Sequence, residues 1–316
     1  MATLSDTSSR SGVVSLEFQA VRGESNLTRS LRQLRKHRMA MVGLILLALI
    51  FLYVLIGSLI IPESKANFND PTRQLEAPSA EHPFGLDDVG RDILARTIWG
   101  GQISLFIGVT AMIVQISIGT VVGLAAGYFG GNVDSVLMRI VEAMLSIPQL
   151  FVLIIASRVF ADKLPDFSIG GRVFSNTLIV IIFSIGLTSW MRVSRIVRSA
   201  VLSVKEQEYI TAARSIGVSD WQIIWRHVLP NCMAPILVSA TLGVATAILL
   251  EAYLGFLGLG VRAPTATWGN MMDEAYQYLK TWYYWFWPAL FIILTILGIN
   301  FFGDGLRDAL DPRSLK

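Results

Sequence analysis

Residues 208–230 read EYITAARSIGVSDWQIIWRHVLP, a charged and aromatic stretch set between two long apolar segments. Tyr209, Ala212, Ala213 and Ile216 fall at i, i+3, i+4 and i+7, and Trp221, Ile224, Trp225 and Val228 repeat that spacing. On a helix each set lines one face, so the spacing predicts two short amphipathic helices in tandem. Gly217 stands where the first should stop, as a residue tolerant of a left-handed backbone. Ser219 with Gln222 matches the S-x-x-Q form of a capping box and should start the second. Pro230 ends that helix or leads it into the next apolar run. What the two faces pack against depends on the rest of the chain.

That rest is membrane-grade. The 316 residues are 53% hydrophobic and 16% charged, with a mean hydropathy of +0.57. A soluble domain carries about 25% charged residues, so the balance points to a membrane protein. The net charge of +3 is no sign of nucleic-acid binding, because the basic residues gather at the ends of apolar runs. Cys232 is the single cysteine, which excludes an intrachain disulfide and a thiolate metal cluster. His37, His82 and His227 are far apart and not at ligand spacing. Residues 1–38, polar and rich in Ser and Arg, read as a loosely ordered tail approaching the bilayer, with no targeting peptide ahead of the first apolar run.

A helix needs about 20 apolar residues to cross the hydrocarbon core. Six runs are read as spans: 39–61, 103–129, 137–160, 233–259 and 282–302, with 176–191 a shorter fourth that could begin a few residues earlier. The third carries Arg139 and Glu142, three apart and able to pair near an interface. Arg29, Arg32, Arg35, Lys36 and Arg38 precede the first run and place the N-terminus in the cytoplasm. An even number of spans returns the C-terminus to that side. The loop after the fourth, with Arg192, Arg195, Arg198, Lys205, Arg214 and Arg226, then also faces the cytoplasm. Glu63, Asp70, Glu76, Glu81, Asp87 and Asp88 fall on the opposite side. Residues 161–175 are short and mixed, and the cluster Trp282, Tyr283, Tyr284, Trp285 and Trp287 should mark the outer interface where the sixth span enters.

Gly119, Gly123 and Gly127 recur every fourth residue and admit a close helix neighbour, most simply within the bundle. In HPFGLDDVGRDILARTIWGG, residues 82–101, Asp87 or Asp88 can cap a short helix whose Ile93, Leu94 and Ile98 rest on the membrane surface. Asp87, Asp88 and Asp92 lack the alternating ligand pattern of a calcium loop. The sequence has no Gly-Lys dipeptide, hence no Walker A loop, and no convincing nucleophile with its base. Glu142 and Glu251 are the main carboxylates within the runs, each near a run's end. Catalysis by this chain alone is not expected, nor is a bound cofactor or metal. The small Ala212 and Ala213 make a poor lipid anchor, so the first short helix suits a partner's groove better than a headgroup layer.

These residues resemble the cytoplasmic coupling loop of bacterial ABC-importer permeases, the EAA loop. Ala212-Ala213, three residues, Gly217 and then Val228-Leu229-Pro230 match its pattern, with Thr211 where the general pattern has Glu. Glu208-Tyr209-Ile210 with Ala212-Ala213-Arg214 and Gly217 is similar to the peptide-importer version, E-Y-V-x-A-A-R-x-x-G. HPFGLDDVGRD at 82–92 resembles that branch's H-P-L-G-T-D-D-L-G-R-D, with Leu86 in place of Thr. Residues 251–272, EAYLGFLGLGVRAPTATWGNMM, resemble the segment after the fifth span. GDGLRDALDPR at 303–313 resembles the tail of the second permease subunit of dipeptide and oligopeptide importers.

The resemblance covers about residues 30–316 and implies an all-α, six-helix type I importer permease. It divides the chain into a cytoplasmic tail (1–38), a first transmembrane helix (39–61), an extracytoplasmic loop with an amphipathic helix (62–101), a transmembrane core (102–304) with its coupling loop (203–230), and a cytoplasmic tail (305–316). It implies a bacterial inner-membrane complex with a homologous permease, two cytoplasmic ATPases that bind ATP and Mg, an extracytoplasmic solute-binding protein and surrounding lipid. Glu208, Tyr209, Ala212, Ala213, Arg214, Ile216 and Gly217 would meet an ATPase. Asp87, Asp88, Arg91 and Asp92 would form an external gate or binding-protein rim. A peptide is the default solute, with nickel, oligosaccharides, opines and other small solutes as alternatives. An ATPase-independent secondary transporter is the mechanistic rival, but the runs lack the mid-membrane polar breaks it would need.

Overall fold

Asn26–Lys36 forms helix α1, and the chain kinks at His37, whose backbone is extended (φ −79°, ψ 101°). The His37 Nδ1 accepts the amide of Ala40 at 3.1 Å and so caps α2, Arg38–Ile60. The computed structural model describes residues 26–310 apart from 162, 164, 170 and 171, so most of the expected N-terminal tail and the last residues lie outside the described part. A short α3 (Glu63–Asn67) and a 3-10 turn (Pro71–Arg73) lead through a loop to α4, Ile93–Phe129. Then come α5 (Gly131–Leu145), α6 (Gln149–Phe160), a two-stranded antiparallel ribbon of β1 (Phe167–Ile169) and β2 (Arg172–Phe174), and α7 (Thr177–Lys205). The quoted stretch forms α8 (Glu208–Ser215), α9 (Asp220–Ile223), one π-helical turn (Ile224–Val228) and α10 (Leu229–Asn231). Three more helices follow: α11 (Met233–Phe256), α12 (Trp268–Tyr276) and α13 (Trp282–Leu310).

Small residues decide which helices touch. α7 lies along α4 through the glycine stripe. A methyl on Gly119 would sit 2.6 Å from Val193 Cβ, on Gly123 2.6 Å from the Ser194 carbonyl oxygen, and on Gly127 2.7 Å from Val201 Cβ. The stripe is therefore an internal helix contact, as the sequence suggests. α2 meets α13 in the same way: a Cβ on Gly43 would come 2.5 Å from the carbonyl oxygen of Gly298. Helices sunk in lipid gain little from apolar burial alone, so close van der Waals packing holds them together. α11 lies between α4 and α13, with Ala245, Ile248 and Ile299 buried where they meet. Apolar side chains such as Leu49, Phe51, Leu59 and Ile60 stay exposed on α2, and a bilayer is the solvent that suits them.

Among the described residues five helices are long and apolar enough to span, and a sixth passage is a bent pair. The expected third span, 137–160, is broken between α5 and α6, which meet at 80°. Pro148 supplies the break, since the residue before a proline avoids helical backbone and proline donates no amide. The pair still carries the chain across. Arg198 Nε donates to Asp134 at 2.5 Å, tying the start of α5 to the last turns of α7, whereas Arg172 Nε donates to Glu63 at 2.6 Å beside the 62–92 loop. Six passages thus remain, one of them broken. Arg139 and Glu142 are both exposed on α5, and no ion pair joins them.

Other boundaries shift for physical reasons. The fourth span continues to Lys205, so Arg192, Arg195 and Arg198 belong to α7 rather than to a loop. The helix expected on the membrane surface at 93–98 is the first part of α4. Ile93 and Ile98 are buried, and the cap is Asp92, which accepts the Ala95 amide at 2.8 Å, rather than Asp87 or Asp88. At about 1.5 Å per residue α4 is some 55 Å long, well beyond the roughly 30 Å hydrocarbon core. Its first turns are therefore free to build the loop end of the molecule. α13 likewise runs through the tail expected from 305 as far as Leu310. His37 Nε2 lies 3.4 Å from an Asp308 carboxylate oxygen, so the start of α2 and the end of α13 share one end of the bundle. α8 lies at that same end: Ile210 packs with Cys232 and Ile236 at the start of α11, and α11 runs antiparallel to α13, with Leu242 beside Gly303 and Ile248 beside Ile299.

Candidate functional site

The α8 to α10 unit is anchored from below by apolar packing. Ile210 and Ala213 of α8, then Ile223, Ile224 and Val228, are buried with Val197 and Val201 of α7 and Leu124 of α4. The two expected stripes therefore split. Ala213 turns inward, while Tyr209 (44% exposed) and Ile216 (80%) face out with Ala212 and Glu208. In the second set Ile224 and Val228 turn inward, and Trp221 (68%) and Trp225 (48%) face out. The π turn offsets the register of a regular helix, and this offset lets Ile223 and Ile224 both reach the core.

Gly217 ends α8 as expected. Its φ is +82°, its amide donates to the Arg214 carbonyl at 3.0 Å, and the Val218 amide donates to the Ala213 carbonyl at 3.1 Å. These are the two bonds of a Schellman closure. Ser219 occupies the N-cap of α9, but its side chain accepts no capping bond, so the expected capping box does not form. Pro230 sits in the first turn of α10 and passes the chain on towards α11.

Tyr128 locks the unit to the spans. It lies in the last turn of α4, and its hydroxyl donates to Asp220 at 2.6 Å while the Arg214 guanidinium lies 5.0 Å from its ring centre. One side chain therefore grips both short helices. The sequence hides it, because Tyr128 is some 90 residues from Asp220 and simply follows the glycine stripe. Tyr128→Phe keeps the ring and removes the bond to a charged acceptor, worth about 1.5–3 kcal/mol when buried. Amide exchange in α8 and α9 is expected to quicken by about tenfold or more, with α4 unchanged. Hydrogen-exchange mass spectrometry reads this directly, and unaltered exchange would mean that apolar packing alone holds the unit.

At the other end, the residues expected to form an external rim are knitted into the fold. Asp87 is fully buried: Oδ1 accepts the amides of Val89 (3.0 Å) and Arg91 (2.8 Å), and Oδ2 accepts Arg91 Nε (2.6 Å) and Arg96 (2.7 Å). Arg91 and Arg96 also reach Glu274 on α12, each at 2.8 Å. Tyr284 of α13 donates to Asp88 at 2.8 Å. Asp92, besides capping α4, holds His82 at 2.8 Å and Lys65 at 3.1 Å. Asp87 and Asp92 are thus interior, and only the part-exposed Asp88 and Arg91 can meet a partner. Asp87, Asp88 and Glu274 cluster closely enough for a cation, but two guanidinium groups already neutralise them. In the same loop Arg73 hydrogen-bonds Glu76 and holds that carboxyl below its usual range.

Tyr283 and Tyr284 of the expected interfacial cluster turn inward instead, Tyr283 donating to the Leu75 carbonyl, and Phe84 stacks on Trp287 at 3.8 Å. Glu251 is fully buried on α11, where it accepts Ser104 Oγ at 3.0 Å, and Ser104 in turn accepts the Trp268 amide at 3.1 Å. It holds α12 against α4 and α11. Between the two ends, Gln115, Gln149, Ser189, Arg192, Gly243 and Arg307 are among the residues lining a half-open cleft of about 590 Å³.

Polar clamps thus lie at both ends of the bundle, with a cleft between them. The family described as the binding-protein-dependent transport system inner membrane component matches residues 119–316. The chain belongs to that family. The permease also matches, over residues 25–78, the N-terminal TM domain of oligopeptide transport permease C. It is 40% identical over 284 residues to the dipeptide transport system permease protein DppC of Bacillus subtilis, spanning 89% of this chain and 84% of that one. It is 40% identical over 287 residues to that organism's oligopeptide transport system permease protein OppC, spanning 89% and 88%. Its fold resembles that of a chain of the MetNI methionine ABC transporter in an inward facing conformation, with a TM-score of 0.51, 21% identity, and coverage of 67% and 95%. The permease is accordingly a multi-pass membrane protein of the type I importer fold.

Proposed function

We propose that the permease is one of two homologous translocating subunits of an ATP-driven importer of short peptides, with α8 seated in a cleft of a cytoplasmic ATPase. The observation that carries this is the division of the α8 to α10 unit into a buried lower face and an outward face of Glu208, Tyr209, Ala212 and Ile216. A stiff helix closed by a left-handed glycine and fixed to α4 through Tyr128 can pass a partner's movement to the spans. Arg214 then acts within the chain, against Tyr128, and Ala213 packs rather than docks.

With α8 in the cytoplasm, both ends of the described chain are cytoplasmic, and the Asp87 network faces outward, where Asp88 and Arg91 are available to a solute-binding protein. ATP and Mg belong to the ATPases, and this chain supplies no catalytic group. The peptide assignment is supported by the identity to DppC and OppC across most of each chain.

A mild-detergent pull-down of the permease from its own cells, read by mass spectrometry, tests the assembly. Recovery of a second six-span permease with one or two ATPases is the expected result. Recovery of the permease alone, under conditions that keep a known complex intact, would revive an ATPase-independent transporter.

A further inference from the structure

Most arginines in the described part of the bundle that lie near a carboxylate are used by it: Arg73, Arg91, Arg96, Arg172 and Arg198 all form ion pairs. Arg192 and Arg307 are different. Both are exposed, both line the 590 Å³ cleft, and neither forms an ion pair or hydrogen bond among the described residues. Among the described residues no Asp or Glu lines that cleft, whose other walls come from α4, α6, α7 and α11. Arg192 projects from α7 and Arg307 from the last turn of α13, so two helices far apart in sequence bring guanidinium groups to one cavity.

Charged groups within a helical bundle usually face a water-filled path and mark what passes through it. A volume of about 590 Å³ lies in the range of pockets that hold small organic ligands. Along α11 the lining runs from Ala234 to Thr246, about 18 Å at helical rise, long enough for a peptide of several residues. Gln149, which also lines the cleft, donates its side-chain amide to Thr188 (3.1 Å) and Ser189 (2.9 Å). The cavity therefore offers two cations at the α8 end, neutral polar groups beyond and apolar walls between.

We infer that Arg192 and Arg307 form a subsite for the terminal carboxylate of a peptide in transit. This rests on the peptide reading above and assigns the part of the solute that the membrane subunit itself recognises. Guanidinium forks match carboxylates bidentately, and none of the described residues lining the cleft is acidic and able to hold the amino end, so the peptide is sensed by its carboxyl terminus. The site lies at the cytoplasmic mouth, where it draws the solute inward and releases it by exchange with water.

The test uses the whole importer, reconstituted with its binding protein in vesicles of neutral phosphatidylcholine. A library of short peptides with free carboxyl termini is compared with the same library amidated, and uptake is read by mass spectrometry. The wild-type complex is expected to import free acids in preference to amides, and R192Q/R307Q to lower free-acid uptake by about tenfold while amide uptake and ATP hydrolysis hold. R192K/R307K should recover part of the preference. Continued peptide uptake with an acid-to-amide ratio unchanged in R192Q/R307Q overturns the subsite and leaves the peptide reading standing. No uptake of any peptide by the wild-type complex fails the peptide reading itself and the subsite with it. Added phosphatidylglycerol separates the remaining source: if native mass spectrometry shows that lipid lost from R192Q/R307Q while the peptide ratio is unmoved, the arginines hold headgroups and the inference is wrong.

Discussion

Asp87→Ala is expected to lower the melting temperature of the purified permease by roughly 5 °C. The carboxylate is fully buried and accepts four hydrogen bonds, two of them from guanidinium groups. Removing one partner of a buried charged pair costs about 3–5 kcal/mol, because the other charge is left without its counterion. At about 2.1 cal/mol/K of unfolding entropy per residue, a chain of 316 residues moves its midpoint by about 1.5 °C for each kcal/mol. Glu274 still faces Arg96 and tempers the loss, which keeps the figure near the lower end. Asp88→Ala is the contrast: its carboxylate is part-exposed and takes one bond from Tyr284, so the midpoint should barely move. If Asp87→Ala instead melted normally and only weakened stimulation by the binding protein, Asp87 would belong to the docking surface after all.

That contrast shows where the sequence was informative. The six passages were legible because lipid demands long apolar runs, and the glycine stripe because close helix approach demands missing side chains. Gly217 was legible because a backbone at φ +82° needs glycine. The bend at Pro148 was not read from the apolar run 137–160, since hydropathy is blind to a break inside it. The roles of Asp87 and Asp92 were missed for a different reason. The four charged residues Asp87, Asp88, Arg91 and Asp92 look like surface until Glu274, Lys65 and Tyr284 arrive from elsewhere to meet them.

The split of the two stripes follows the same logic. Local spacing identified the helices but not which flank is covered, because α7 and the end of α4 provide the cover. Ala213 sits inside by 100° of helix rotation from where a partner-facing stripe would need it. A bulky residue there would thus disturb the packing around Ile210 and Val201, whereas the same change at Ala212 would block the outward face and leave the fold intact. A fold read from one face alone could not separate the two.

Gly217→Pro is expected to leave the complex assembled and ATP hydrolysis near normal, while peptide uptake falls by roughly tenfold or more. Proline holds φ near −65° and cannot adopt +82°, and it lacks the amide that donates to the Arg214 carbonyl. Both bonds of the Schellman closure then fail, and α8 loses its fixed angle to α9. Buried Ile210, Ala213, Ile223 and Ile224 still hold each helix on the bundle, so insertion survives. What is lost is stiffness between the helix proposed to meet the ATPase and the spans it is proposed to move, and coupling free energies of about 1–3 kcal/mol correspond to a 5–150-fold change. Gly217→Ala gives a graded comparison. A Cβ there meets nothing within 4 Å, so its only penalty is the left-handed backbone, about 1–2 kcal/mol, and uptake should fall less. Paired assays of uptake and hydrolysis in reconstituted complexes decide the matter. Normal uptake in Gly217→Pro would remove α8 as the coupling element. Parallel loss of uptake and hydrolysis, with ATPase no longer co-purifying, would instead make the turn a docking determinant rather than a transmitter of motion.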